Sequence, residues 1–132
     1  MEIENAVIAR LACFGYVVTD QDMDGLGITI KKVEQTICNF CNLVEVPKGL
    51  FYVEVDMAAG EFLREKKTFD PDSLSYMGLG EDVKQIQEGD TNVVFAVGSG
   101  EQTAEQRLDT LIEQLTAGNM DELKRYRKAR WQ

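Results

Sequence analysis

Asp20, Asp22, Asp24 and Gly25 have the residue types and alternating spacing that open a calcium-binding loop, where three carboxylates and a glycine turn wrap oxygen ligands around the ion. The pattern fails further along. The twelfth position, which must supply a bidentate carboxylate, is Lys31, and the eighth, normally apolar, is Gly27. The segment therefore reads as a solvated, helix-capping acidic turn.

Cys38-Asn39-Phe40-Cys41 has the spacing of a redox pair, but such a pair needs its first cysteine at a helix N-terminus, where the dipole lowers the thiol pKa. Here the periodicity places both cysteines toward the end of a helix. Structural zinc would require further ligands, and neither a second such pair nor any histidine is present. Both thiols read as buried and apolar. Gly78-Leu79-Gly80 lacks the Lys-Ser/Thr that completes a phosphate loop. The absence of histidine removes Ser-His-Asp and Cys-His nucleophiles and imidazole acid–base chemistry together. No catalytic constellation remains, so a binding role is expected, with no metal and no cofactor.

The feature with the most information is charge. The chain has a formal net charge of −9, yet residues 121–132 carry Lys124, Arg125, Arg127, Lys128 and Arg130 against Asp121 and Glu122, a net +3 that leaves the other 120 residues at −12. Tyr126 and Trp131 lie among these cations, and aromatic and arginine side chains dominate protein interfaces. An acidic body repels phosphate, so general nucleic-acid binding is not expected. A dipole-complementing, solvated last turn is the plainer explanation of the same cations.

The elements that must position these residues follow from periodicity. A chain of 132 residues suits one domain with one core, here residues 1–132 with a basic segment at 120–132. Ile3, Val7, Ile8, Leu11 and Phe14 predict a helix over 2–14, stopped by Gly15. Residues 19–27 read as a loop. Ile30, Val33, Ile37, Phe40 and Cys41 predict a second helix over 28–43, and Pro47 opens a third that runs to about Lys66. Ala58-Ala59-Gly60 in that third helix would let another backbone approach closely.

Residues 68–80 read as a loop, and two β-prone runs flanking Glu88-Gly89-Asp90 predict a hairpin. Ala104, Leu108, Leu111, Ile112 and Leu115 predict a fourth helix, and 121–131 a short, cationic fifth. The expected fold is mainly α, four to five helices around one core with a β-hairpin inserted between helices three and four. With no apolar run of eighteen residues, an acidic N-terminus and an odd set of three cysteines, a protein neither exported nor inserted in a membrane, with reduced thiols, is expected.

This order of elements resembles the small head-tail connector, or head-completion adaptor, proteins of long-tailed bacteriophages. The residues that carry the resemblance are 30–42 leading into Pro47-x-x-Leu50, the helix through Val53, Met57, Ala58 and Phe62, and the Ser73-Leu74-Ser75-Tyr76-Met77-Gly78 loop. The hairpin through Glu88-Gly89-Asp90-Thr91 and a closing Leu123-x-x-Tyr126-Arg127-x-x-Arg130-Trp131 complete it. The resemblance implies a structural virion protein that forms a ring of twelve beneath the portal, receives the stopper or tail-completion protein, and lets DNA pass through its channel without specific binding. It implies location at the virion head-tail interface, with the host cytoplasm before assembly. It nominates Lys124, Arg125, Tyr126, Arg127, Lys128, Arg130 and Trp131 for docking on portal or neighbouring subunits, and Glu88, Gly89, Asp90 and Thr91 for contacts along the channel. The alternative is a non-viral helical interaction module that docks one-to-one through the same basic segment.

Overall fold

The computed structural model describes residues 2–74, 77 and 103–128. Among them are five α-helices and no strand: α1 (Glu2–Cys13), α2 (Met23–Cys41), α3 (Phe51–Phe69), α4 (Ala104–Leu115) and α5 (Met120–Tyr126). The mainly helical class is as expected. The hairpin, with Glu88, Gly89, Asp90 and Thr91, lies outside the described residues, as do Arg130 and Trp131.

Helix α3 is the axis of the molecule: α1, α2 and α4 all pack on it. Its apolar residues are not confined to one stripe, because Val55, Ala58, Ala59, Phe62 and Leu63 must meet three neighbours. Gly60 is the point of closest approach. A Cβ there would lie 2.8 Å from Leu115 Cβ and 2.8 Å from Thr116 Cγ2, so only glycine lets α4 lie this near. The small-residue stretch noted in the sequence does what its composition suggests. Leu11, Leu26, Ile37, Leu50, Leu63 and Leu123 are fully buried, each worth about 1.5–3 kcal/mol relative to exposure.

Local chemistry sets the helix boundaries. Gly15, at φ 92°, turns the chain after α1, a left-handed conformation suited to glycine. Thr103 and Gln106 cap α4 reciprocally: the Gln106 amide donates to Thr103 Oγ1 at 3.1 Å and the Thr103 amide to Gln106 Oε1 at 2.9 Å. Pro47 precedes a single 3-10 turn, Lys48–Leu50, before α3 begins.

Three boundaries depart from expectation. Helix α2 starts at Met23, so Gly25 and Gly27 lie inside a helix where a loop was expected. Tertiary anchoring of Asp22 overrides their poor propensity, about 1 kcal/mol each. Helix α3 continues to Phe69 rather than Lys66, where the Asp70 amide closes it on the Lys66 carbonyl at 2.8 Å. Helix α5 ends at Tyr126 rather than running to 131, because Arg127 is extended (φ −71°, ψ 131°) and the Lys128 amide turns to a different helix.

That anchor of α2 is a buried polar hub. Asp22 Oδ1 accepts from Lys66 Nζ at 2.7 Å, while Oδ2 accepts from the Tyr16 hydroxyl at 2.8 Å and from the Thr19 amide at 3.1 Å. Burial alone would raise the Asp22 pKa, but the bonds from Lys66, Thr19 and Tyr16 outweigh it and hold the carboxyl below its ordinary value. Because Lys66 belongs to α3, this hub joins the start of α2 to the end of α3. Two turns further along α2, Thr29 Oγ1 donates to Glu65 Oε1 at 2.9 Å, so the two helices are antiparallel.

Candidate docking interface

The antiparallel pairing brings three chain ends together at the far end of the bundle: the C-terminus of α2, the N-terminus of α3 and the C-terminus of α5. Helix α2 finishes on Asn42, which adopts the left-handed conformation at φ 59°, ψ 45°. Its amide and that of Leu43 both return to the Cys38 carbonyl, the latter at 2.9 Å. The Cys41 carbonyl is left to accept from another segment, as the last carbonyls of a helix must. The Lys128 amide donates to it at 2.8 Å, and Asn42 Nδ2 donates to the Lys128 carbonyl at 2.6 Å. Residues 127–128 are thereby strapped across the end of α2.

Side chains reinforce the strap. The Arg127 guanidinium lies 5.0 Å over the Phe40 ring, and the Cys41 thiol donates to the Leu123 carbonyl at 3.4 Å. Gly49 cradles Tyr126 so closely that a Cβ there would lie 2.0 Å from the tyrosine hydroxyl. Of the nominated docking residues, Tyr126 is therefore half-buried within the fold, while Lys124, Arg125, Arg127 and Lys128 are exposed. Lys124 and Arg125 approach Asp121 and Glu122 one turn earlier, at 3.9 and 3.2 Å, solvated pairs that leave both cations accessible. Lys128 pairs with no described acid.

Sequence reasoning missed the other half of this surface. Lys48, Val44 and Tyr52 are exposed on the α2–α3 connection and the first turn of α3, beside the strap, with Tyr52 packed edge-on against Phe51. They are some eighty residues from the basic segment in sequence, and only the closing of α2 on Lys128 makes them neighbours. A faint signal existed: Asn-Leu-Val after a helix is a left-handed stop followed by apolar side chains.

The residues considered for metal or thiol chemistry are dispersed. Asp22 is committed to Lys66 and Tyr16, whereas Asp20 and Asp24 are exposed, and among the described residues no three His, Cys, Asp or Glu side chains converge on a possible ion. Cys41 is buried and Cys38 half-buried. Burial raises both thiols, with nearby Glu34, Glu54 and Glu45 adding to it at Cys38. Neither is an activated nucleophile. Glu54, in the first turn of α3, is the buried carboxyl that differs from Asp22 in lacking partners: its Oε2 has no hydrogen-bond partner among the described residues, and burial, then Glu34, pushes its pKa to about 7.

No helix of the described residues is long and apolar enough to cross a membrane. Compared with protein-family models, with curated proteins and with solved structures, the chain finds no match.

Proposed function

We propose that this protein is a structural adaptor of the head-tail connector kind, a ring-forming virion subunit that docks on the portal through its basic C-terminal segment and receives the stopper or tail. The observation that carries the reading is the strap. The Lys128 amide bonds the Cys41 carbonyl and the Asn42 side chain bonds the Lys128 carbonyl, so Lys124, Arg125, Arg127 and Lys128 sit on a segment held against the body. A pre-organised cationic surface loses less conformational entropy on docking than a flexible one.

The test is mass by light scattering, alone and after mixing with a long-tailed phage portal protein. A ring-sized species on the portal, lost on alanine substitution of Lys124 and Arg125 with helical circular dichroism unchanged, is the expected result. A strict one-to-one complex would replace the ring with a non-viral interaction module, and a chain that ignores the portal would end the adaptor reading.

A further inference from the structure

The two ends of the antiparallel α2–α3 pair are chemically opposite. At one end, Lys48, Arg127 and Lys128 are exposed against Glu45, and two apolar side chains project among them: Val44, 101% exposed, and Tyr52, 76%. At the other, about 28 Å away along the 19-residue α2, Asp20, Asp24, Asp70 and Asp72 are exposed. The nearby cations there are occupied, Lys66 by Asp22 and Lys67 by Asp109 and Glu105. Val17 and Phe69, 77% and 84% exposed, lie among these acids.

The acidic end is also indented. A hollow of about 280 Å³ opens between Gln21, Asp22, Phe62, Phe69 and Asp70, with the Asp22-paired Lys66 also on its wall, and a second of about 480 Å³ lies against Tyr16, Val17, Thr19 and Ser73. One end therefore carries protruding apolar groups beside exposed cations, and the other carries hollows with Val17 and Phe69 on their walls beside exposed acids.

From this complementarity we infer that two copies of the chain associate head to tail, the Val44–Tyr52 end of one copy seating on the Val17–Phe69 end of the next. The inference rests on the ring reading above and names its two faces. Exposed apolar side chains at both ends are removed from water, and the charges around them set the direction. Like ends repel, so a two-fold dimer through either face is disfavoured. Repeating a contact between two different faces gives a closed ring when the rotation closes. Because the charges are on the rim, association weakens as ionic strength rises.

Charge exchange tests this without touching the core. Lys48→Glu/Lys128→Glu makes both ends acidic, and Asp20→Lys/Asp24→Lys/Asp72→Lys, which leaves only Asp70 of the four exposed aspartates, makes both ends basic. All five side chains are exposed, so circular dichroism should match the unaltered chain. In sedimentation velocity from micromolar to millimolar protein, each variant alone should associate at least about tenfold more weakly than the unaltered chain. An equimolar mixture of the two variants should recover the association, since every junction is again complementary.

Variants that associate as well as the unaltered chain, or a mixture that recovers nothing, would overturn the assigned faces while a ring on the portal still stood. An unaltered chain monomeric at every concentration would overturn the head-to-tail contact as well. A chain that also fails to form a ring on the portal would take the adaptor reading with it.

Discussion

Glu54 offers the sharpest test of the energetics. Its side chain is 5% exposed, Oε2 has no donor, and the titratable groups near it, Glu34 and Cys38 on α2, stabilise no negative charge. The carboxyl is pushed up from 4.5 to about 7, so the folded protein holds this proton more tightly than the unfolded chain does. The sign follows from linkage: the group costs nothing while protonated in both states, and the cost grows as pH rises from 4.5 to about 7 and is complete above that. Its full size is about 3 kcal/mol, because every tenfold gain in proton affinity on folding is worth about 1.4 kcal/mol.

Glu54→Gln removes the charge and keeps the shape. At pH 8 the variant should be more stable by about 3 kcal/mol, a rise in Tm of about 10 °C for a chain of this length, while at pH 5 the gain should fall to about 1 kcal/mol or less. Denaturant unfolding of both proteins at the two pH values measures the difference directly. A gain that is the same at both pH values would show that Glu54 is not the titrating group. No gain at pH 8 would show that the carboxylate reaches a partner or water and that the desolvation argument is wrong.

The remaining predictions concern packing and the polar hub. Gly25→Ala and Gly27→Ala should each stabilise the protein by about 1 kcal/mol in thermal melts, because both positions are helical and a Cβ at either meets nothing within 4 Å. Gly60→Ala should instead destabilise by about 1–3 kcal/mol, since its Cβ would press on Leu115 and Thr116. Asp22→Asn leaves Lys66 with only the more distant Asp70, at 3.9 Å, as its counter-ion and should cost about 2 kcal/mol at neutral pH. Because the folded Asp22 carboxyl sits below its ordinary 3.8, that cost is expressed above 3.8 and should shrink as the pH is lowered through the folded value, which paired acid-unfolding curves will follow.

The helical class, the five helices and the close approach at Gly60 were legible in the sequence because each is written in local periodicity or in a run of small residues. The start of α2 was not: two glycines and three aspartates signal a loop, and what reverses them is a bond from Asp22 to Lys66, 44 residues away in the numbering. The end of α5 was hidden for the same reason, since its last turn yields to a hydrogen bond from Lys128 to Cys41. The docking surface was half legible. The cations of residues 124–128 are contiguous and conspicuous, whereas Lys48, Val44 and Tyr52 join them only through the fold. Glu54 is a first-turn acid, a type favourable at a helix N-terminus, and nothing in its neighbours along the chain marks it as buried.

The position of α3 has a consequence for how the molecule opens. Helices α1, α2 and α4 each find their apolar partner chiefly on α3, so none of them forms a stable sub-assembly that excludes it. Fluctuations that release α1 or α4 singly leave the others in place, but any motion that exposes the amides of α3 must detach three helices at once. Its central amides, around residues 55–63, should therefore exchange with solvent only through global unfolding, and their protection reports the full stability of the protein.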